Sequence, residues 1–460
     1  MKPCRFTLRK EYCGGVLHDA HEISAEVLTP AEYAFLKSMG AGASHRLTDG
    51  AVASVPGLAG KLASWTRRGA VRLDSGGVYR LQQTRIVELP IIPEQCLTAP
   101  LRVYDTYTRV CNLDCPQCCA TSRPGFAERR RTLEQTFVIL DKFYAAGTME
   151  WRFTGGEPTS CPDLLDAIVR AKSLGMAVML NTNGCWNERM MRELPESGVD
   201  QIIISLEGRE PVNDRRRNTG TFQRILRTIE CIRRFNARSP GHLIRTTLNM
   251  TVGRDNAGEV EFMARLAARN GFNLNFVPLR PYGRARLGLP AAVLFTEEFM
   301  AFSRQVQVMR EDPEIRTSGI RIIHRNMDLF CPDYPDSSRQ PYPFNYAECG
   351  ALSTGMGLCL DGRINACSFL MDDPEFVGPS LLEVSVQQAW LDPAMERFRR
   401  AEKVGCTDCR FYMRQCEGKC RAMVLTTGGA IRDGKLVGTD PYCYAPLMHG
   451  SARNPCFQPV

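Results

Sequence analysis

The sequence predicts an α/β protein with three regions, and three observations support that prediction. Strand and helix patterns alternate between about residues 100 and 330, which is typical of a parallel sheet covered by helices. A short region with its own strands and helices precedes this stretch, and a region dense in Cys, Pro and Gly follows it. We therefore expect a small module at 1–95, a repeated β/α domain at 96–330 and a cysteine-rich domain at 331–460.

Composition excludes several classes of protein. The 460 residues include 58 Lys and Arg against 50 Asp and Glu, and a net charge of +8 is weak evidence for nucleic-acid binding in a chain of this length. No stretch approaches the roughly 18 apolar residues that a membrane span requires, and the N-terminus lacks the apolar core of a signal peptide. We expect a cytoplasmic protein. The 20 cysteines occur in clusters, which in a reducing compartment favours metal binding over disulfides.

Region 1–95 has the pattern of a winged helix-turn-helix. Its predicted elements are strands at 6–8 and 15–17 around a Gly14-Gly15 turn, helices at 30–39 and 58–68, and a hairpin about 74–77. Such a module often binds nucleic acid, but the second helix carries no Lys/Arg stripe. We therefore consider a nucleic-acid partner unlikely.

The middle region predicts six β/α repeats. The predicted strands cover 101–106, 150–153, 177–180, 201–205, 245–252 and 273–277. Six repeats imply a parallel sheet, either a partial barrel or a doubly wound sheet. In both, functional residues lie just beyond the carboxyl ends of the strands.

A three-cysteine loop directly follows the first of these strands. Cys111, Cys115 and Cys118 have the spacing C-x3-C-x2-C. Structural zinc normally has four protein ligands, and the loop contains no histidine. Three thiolates suit a [4Fe–4S] cluster in which one iron has no protein ligand and remains open to a small molecule.

This loop resembles the signature of the radical S-adenosylmethionine (SAM) enzymes. The resemblance implies a partial (β/α)6 barrel in which the cofactor's methionyl amine and carboxylate chelate the open iron. Electron transfer into the sulfonium would then release a 5′-deoxyadenosyl radical that abstracts a substrate hydrogen. It also implies an electron donor such as flavodoxin or ferredoxin.

A second motif follows the second strand. Gly155, Gly156, Glu157 and Pro158 resemble the motif that binds the cofactor's amine in this family. Two glycines would let backbone carbonyls approach the ammonium group, and Glu157 would add charge.

Polar residues after later strands extend the resemblance. Asn181, Ser205 and Glu207 match positions that often contact the ribose hydroxyls and carboxylate of the cofactor. One departure concerns the residue before the third cysteine, which is usually aromatic and packs near the adenine. Here it is Gln117, which puts that contact in question.

The C-terminal cysteines resemble a SPASM domain, an extension that holds two auxiliary [4Fe–4S] clusters. The run Cys406-x2-Cys409-x6-Cys416-x3-Cys420 has one residue more than the usual spacing. The resemblance assigns Cys349, Cys367 and Cys420 to the nearer cluster, and Cys406, Cys409, Cys416 and Cys443 to the farther one. Cys331 and Cys359 are both candidates for the nearer cluster's fourth ligand, and an open site is a third option. The alternative is a zinc ribbon at Cys406, Cys409, Cys416 and Cys420.

Region 1–95 resembles a recognition element for ribosomally made precursor peptides. Such a module binds the leader of the peptide as an additional strand of its sheet. We therefore expect a radical SAM enzyme that modifies a peptide or protein by crosslinking, thioether formation or oxidation. The alternatives are the same chemistry on a small molecule, such as a sugar or cofactor precursor, and a non-catalytic zinc protein that binds DNA. The sequence identifies no catalytic acid or base.

Overall fold

The computed structural model describes residues 4–40, 45–46, 55–94, 96–280, 282–285, 292–294, 296–324, 350–406, 418–438, 440 and 443.

The N-terminal part combines a four-stranded sheet with two helices and a small second sheet. Its elements are β1 (Phe6–Glu11), β2 (Gly14–Asp19), β3 (Ser24–Leu28), α1 (Pro30–Gly40), β4 (His45–Arg46), α2 (Leu58–Arg68), β5 (Val71–Leu73), β6 (Val78–Leu81) and β7 (Thr84–Val87). The first sheet has the order β3-β2-β1-β7, and β4, β6 and β5 form the second. The first turn lies at Tyr12–Cys13, so the predicted Gly14-Gly15 turn is wrong: both glycines belong to β2. Strand β7, which pairs in parallel with β1, was not predicted.

In the middle part, strands alternate with helices along the chain, and the strands form one parallel sheet. Its elements are β8 (Arg102–Thr108), α3 (Leu133–Ala145), β9 (Glu150–Gly155), α4 (Leu164–Ser173), β10 (Ala177–Thr182), α5 (Glu188–Glu193), β11 (Gln201–Ser205), α6 (Glu210–Arg217), α7 (Thr221–Arg238), β12 (Arg245–Val252), α8 (Val260–Asn270), β13 (Asn273–Pro278), α9 (Thr296–Glu311), α10 (Pro313–Ser318) and β14 (Ile322–His324). All six predicted strands are present. The structure adds β14, which pairs in parallel with β13 at the edge of the sheet.

Local sequence explains why these elements form where they do. Helix α3 begins at a capping box, in which the Thr132 side chain accepts from the Gln135 N–H and the Gln135 side chain accepts from the Thr132 N–H. Strand β10 is buried almost throughout, as expected for a central parallel strand with helices on both faces.

The C-terminal part extends the same sheet. Its elements are β15 (Gly355–Leu358), β16 (Arg363–Asn365), β17 (Val377–Ser380), α11 (Val386–Trp390), α12 (Pro393–Arg400), β18 (Glu402–Lys403), α13 (Arg421–Thr426), β19 (Ala430–Arg432) and β20 (Lys435–Val437). Strand β15 pairs in parallel with β8, giving a sheet of order β14-β13-β12-β11-β10-β9-β8-β15-β16-β17. Met356, Trp390 and Phe398 lie in the same hydrophobic core as the β/α repeats.

Buried polar contacts fix the N-terminal sheet to the amino ends of the barrel strands. The Arg9 guanidinium is fully buried and donates to the carbonyl oxygens of Ala99 at 2.7 Å, Gly147 at 3.2 Å and Pro100 at 3.3 Å. These carbonyls lie just before β8 and β9. The sheet therefore packs at the end of the barrel opposite to the end where functional residues are expected. In the part of the chain that is described, every helix is too short or too polar to cross a bilayer.

Candidate active site

The three-cysteine loop lies at the carboxyl end of the parallel sheet. It begins at Cys111, three residues after β8, and contacts the residues that follow β9 and β10. The Glu157 N–H donates to the Val110 oxygen at 2.9 Å, and the Asn183 amide donates to the Cys111 sulfur at 3.7 Å. Inside the loop, the Cys118 N–H donates to the Cys115 oxygen at 3.2 Å.

The thiols of the loop interact electrostatically. Burial raises the pKa of the Cys111 thiol to about 12, and Glu157, Cys115 and Cys118 add to that shift. Burial also raises the pKa of Cys115, although the Arg217 guanidinium opposes the shift. Thiols in such an environment stay protonated until a metal displaces the proton. Three mutually interacting thiols on one short loop fit an iron–sulfur cluster with three protein ligands.

Over the ranges given above, no three Cys, His, Asp or Glu side chains stand together in a geometry that holds a metal ion.

A segment after β13 holds the cysteine loop in place, and sequence reasoning missed it. Arg284 donates from its side chain to the Cys115 oxygen at 2.8 and 3.1 Å and to the Ser122 oxygen at 2.9 Å, while its backbone N–H donates to the Cys118 oxygen at 3.1 Å. A Cβ on Gly283 would lie 2.7 Å from that same Cys118 oxygen. An isolated Gly-Arg pair has no spacing signal that could have identified this role.

The glycines of the second motif lie directly against the cysteine loop's entry, and their predicted role at the cofactor's amine stays a prediction. A Cβ on Gly155 would lie 2.2 Å from the Thr108 oxygen, and a Cβ on Gly156 would lie 2.2 Å from the Val110 oxygen. The Gly156 N–H donates to the Thr108 oxygen at 2.6 Å. Glycine is required here because the backbone that leads into the cysteine loop passes directly against the motif.

That Glu157 adds charge at the cofactor's amine stays a prediction. Its carboxylate is fully buried and accepts from the hydroxyls of Thr159 and Thr182 at 2.6 and 2.8 Å, and from the Asn183 N–H at 2.6 Å. Glu157 thus ties the end of β9 to the end of β10. Pro158 is buried and begins a short 3-10 helix, Pro158–Ser160.

Several buried polar atoms near this end of the sheet have no partner within the described ranges. Asn181 donates to the Thr154 hydroxyl at 3.5 Å, but its Oδ1 accepts nothing there. The same holds for Thr106 Oγ1, Asn275 Oδ1 and both amide atoms of Gln117. Buried polar atoms are nearly always satisfied in folded proteins, so water or a polar ligand is expected to bind these atoms. This set fits a cofactor with amine, carboxylate and hydroxyl groups, and apart from Asn181 it was not predicted.

Of the remaining predicted residues, Ser205 ends β11 in a half-buried position. That Glu207 contacts the cofactor stays a prediction; its buried carboxylate already has partners within the chain. It accepts from Arg217 at 2.8 Å, from Arg216 at 3.3 Å and from the Thr251 N–H at 3.0 Å. Glu207 therefore holds Arg217, whose charge opposes the rise in the pKa of Cys115.

Two of the C-terminal cysteines lie close enough to Tyr282, shortly after β13, to act on its hydroxyl. Burial raises the pKa of the Tyr282 hydroxyl, and the thiols of Cys420 and Cys367 add to that shift. Arg280 donates to the Cys420 sulfur at 3.4 Å. Both cysteines were assigned to the nearer auxiliary cluster, and their shared surroundings fit that assignment.

Backbone contacts connect further cysteines of this region. The Cys406 sulfur accepts from the Lys419 N–H at 3.4 Å. Asp440 accepts from the N–H of Cys420 through its side chain at 2.7 Å and from the N–H of Cys443 through its backbone oxygen at 2.9 Å. Four predicted ligands lie outside the described residues: Cys331, Cys349, Cys409 and Cys416.

Cys359 has separate surroundings. Its buried sulfur accepts from the Asn365 amide at 3.2 Å, and burial raises the pKa of the thiol to about 11. A Cβ on Gly357 would lie 2.0 Å from the Asn365 side chain, so the glycine makes room for this contact. The choice between Cys359 and Cys331 as a ligand stays open.

Comparison with known proteins agrees with this site. Residues 106–267 match the model of the Radical SAM superfamily. The mycofactocin maturase MftC of Mycobacterium ulcerans is 29% identical over 367 residues, which cover 76% of this chain and 89% of that protein. The PqqA peptide cyclase of Gluconobacter oxydans is 24% identical over 359 residues, covering 76% of this chain and 92% of the cyclase.

A solved structure shares the fold over nearly the whole chain. Streptococcus suis SuiB bound to the precursor peptide SuiA superposes with a TM-score of 0.67 at 16% identity, covering 93% of this chain and 97% of SuiB. The matched segment, 106–267, contains the cysteine loop and the Gly-Gly-Glu-Pro motif. Residues 106–267 are therefore a radical SAM domain.

Proposed function

We propose that this enzyme uses a SAM-derived radical to modify a ribosomally made peptide. The observation that carries the proposal is the rigid attachment of a small sheet with an open edge to a barrel that carries the radical SAM loop. The names of the relatives agree with it, since one is a peptide cyclase and SuiB was solved with a precursor peptide.

The open edge is β3. Within the described residues this strand pairs with β2 on one side only, so its other side offers N–H and C=O groups to an added strand. Two side chains of helix α2 reach the strand, where Glu26 accepts from Trp65 and from Arg68, both at 2.9 Å. We propose that the leader of the substrate peptide pairs with this edge.

The same contacts weigh against a DNA-reading module. Of the three cations of α2, Lys61 pairs with Glu32 and Arg68 with Glu26, both at 2.9 Å, while Arg67 is exposed. A helix with two of its three basic groups neutralised by its own domain attracts phosphates weakly.

The residues of the barrel have distinct roles in this proposal. Cys111, Cys115 and Cys118 would hold the open cluster, and Arg284 keeps their loop in position. Asn181 would accept a hydrogen bond from the cofactor through Oδ1. When bound, SAM and the reduced cluster supply a 5′-deoxyadenosyl radical that removes a hydrogen atom from the substrate.

Further parts of the proposal concern the whole chain. We divide it into a peptide-recognition module at 1–95, the radical SAM barrel at 96–330 and an auxiliary-cluster domain at 331–460. A flavodoxin or ferredoxin would deliver the electron. The density of thiols suits a reducing compartment, so we place the enzyme in the cytoplasm.

The test is hydrogen transfer from a peptide. The full chain, reconstituted anaerobically with iron and sulfide, is incubated with SAM, a reductant and deuterated peptides encoded beside its gene. We expect deuterium in the 5′-deoxyadenosine, measured by mass spectrometry. Deuterium transfer from a labelled small molecule and from none of the peptides would favour the alternative substrate class.

A matched pair of variants identifies the reaction centre. Cys115→Ala removes a proposed ligand, whereas Cys161→Ala removes a buried thiol with no ligand-like spacing. We expect deuterium transfer to disappear only in the first variant.

A further inference from the structure

One short segment contacts both cysteine regions. It consists of Arg280 and residues 282–285, and we call it the bridging segment. At one end, Arg284 binds the backbone of the three-cysteine loop at Cys115 and Cys118. At the other end, Arg280 donates to the Cys420 sulfur at 3.4 Å.

Packing fixes the Arg280 end of the bridging segment. The Tyr282 ring stacks on Phe369, with ring centroids 4.4 Å apart and an interplanar angle of 13°. The Arg280 guanidinium carbon lies 5.9 Å from the centroid of the same Phe369 ring. Phe369 follows Cys367 by two residues, so this packing keeps the guanidinium beside the segment that carries Cys367.

We propose that Arg280 is a positioning residue that acts through Cys420, orienting its sulfur and raising the reduction potential of the auxiliary cluster held there. This inference rests on the proposed function, because it takes Cys420 to be a cluster ligand. Its basis is a side-chain N–H···S contact from a permanently charged group to that ligand.

The physical reason is the charge of the reduced cluster. Reduction adds a negative charge that is spread over the irons and sulfurs. A nearby cation and an N–H donor to a ligand sulfur stabilise the reduced state more than the oxidised one. Because arginine stays protonated, this stabilisation does not depend on pH near neutrality.

The test is an EPR-monitored redox titration of the reconstituted full chain. Cys420→Ser first identifies the auxiliary signal that depends on this ligand. In Arg280→Met we expect that signal to titrate at a lower potential. The ratio of reduced to oxidised auxiliary cluster at a fixed poise should fall by about tenfold, equivalent to about 59 mV for a one-electron couple.

Arg284→Met is the matched control on the same segment. Because Arg284 contacts the three-cysteine loop, its loss should affect the SAM-binding cluster and leave the potential of the auxiliary cluster unchanged. If Arg280→Met fails to retain iron, Arg280→Lys provides the test, since it keeps the charge but loses the planar donor. Its auxiliary potential should lie below that of the wild type.

Two results would overturn the inference. One is an unchanged auxiliary potential in Arg280→Met; the other is equal potentials in the wild type and Arg280→Lys when the Met variant loses iron. Both leave the proposed function intact, because that function depends on deuterium transfer to 5′-deoxyadenosine. A Cys420→Ser variant with unchanged iron content and spectra would instead remove the assignment of Cys420 as a ligand.

Discussion

The two ends of the barrel differ in whether their buried polar groups have partners within the described chain. At the amino end, Arg9 pairs with Glu11 at 2.6 Å and Glu11 also accepts from the Thr98 N–H at 2.7 Å. Beside them, Glu150 at the start of β9 pairs with Arg102 and lies 3.4 Å from His18. These charged groups have partners, and the contacts of Arg9, Glu11, His18 and Glu150 join the N-terminal sheet to the barrel.

At the carboxyl end, several buried polar atoms lack a hydrogen-bond partner among the described residues. Asn181 Oδ1, Asn275 Oδ1 and the amide of Gln117 are buried there without partners in the described part of the chain. An unsatisfied buried polar group costs about 1–3 kcal/mol, which a ligand that binds the group can recover. We therefore infer that the buried polar groups stabilise the fold at the amino end and bind a ligand at the carboxyl end. Substitutions at the two ends should therefore change different measured quantities.

The largest expected effect is loss of the reaction at the carboxyl end. Cys115→Ala removes a proposed cluster ligand, so 5′-deoxyadenosine formation should fall to background and the iron content should fall by one cluster. Liquid chromatography and iron analysis measure both. A variant that keeps wild-type iron and turnover would show that the two ends do not differ in this way.

A substitution at the amino end should change the free energy of unfolding. Burial alone would raise the pKa of Glu150, but Arg102 and His18 lower it to about 2. Because the pKa is lower in the folded state than its ordinary value of 4.5, this stabilisation is present above pH 4.5 and is lost as the pH falls toward 2. Glu150→Gln should lower the free energy of unfolding at pH 7 by on the order of 3 kcal/mol.

Urea unfolding of the apo-protein, followed by tryptophan fluorescence, measures this difference. The gap between wild type and Glu150→Gln should narrow as the pH falls from about 5 toward 2. Glu383→Gln, in an exposed position between elements, is the control and should leave the unfolding midpoint unchanged. A gap that is constant over this pH range would show that Glu150 does not act through its charge.

A substitution in the Gly-Gly motif should have a smaller effect, on both the stability of the protein and the binding of the cluster. In Gly156→Ala the new Cβ would overlap the Val110 oxygen, and relieving that overlap costs about 1–3 kcal/mol and shifts the cysteine loop. We expect a lower melting temperature and a lower yield of reconstituted cluster. Gly258→Ala, whose Cβ would meet no atom within 4 Å, should behave like the wild type. Equal cluster yields in both variants would refute the close-approach explanation.

The smallest expected effect is a loss of SAM affinity without a loss of stability. Asn181→Leu removes an unsatisfied oxygen, so SAM affinity should fall by about tenfold while the melting temperature of the protein without SAM should not fall. Equilibrium dialysis measures the affinity. Asn270→Leu, whose amide donates to the Leu266 oxygen at 2.7 Å, should leave SAM affinity unchanged. Unchanged affinity in Asn181→Leu would remove Oδ1 from the site.

The sequence predicted the parts of the molecule that depend on local patterns. The six strands of the β/α repeats follow from hydrophobic periodicity, and the position of the cysteine loop follows from the rule that parallel strands end at one edge. Strands β7 and β15 could not be predicted, because each is short and pairs with a strand distant in sequence.

The site was predicted in its position but not in all its roles. The acidic residues Glu157 and Glu207 were predicted at the cofactor because they follow strand ends, and in the structure both bind groups of the chain itself. Arg280 and Arg284 were missed because only the folded chain brings them to the cysteines. Spacing reveals ligands on one loop, whereas the residues that hold that loop come from elsewhere in the sequence.

EPR spectroscopy of the reduced, anaerobically reconstituted chain with and without SAM tests the central claim most directly. We predict a [4Fe–4S] signal that depends on Cys111, Cys115 and Cys118 and changes when SAM is added, because SAM binds the open iron. A wild-type protein with no reducible cluster at this loop, or with a cluster signal that SAM leaves unchanged, would contradict the account.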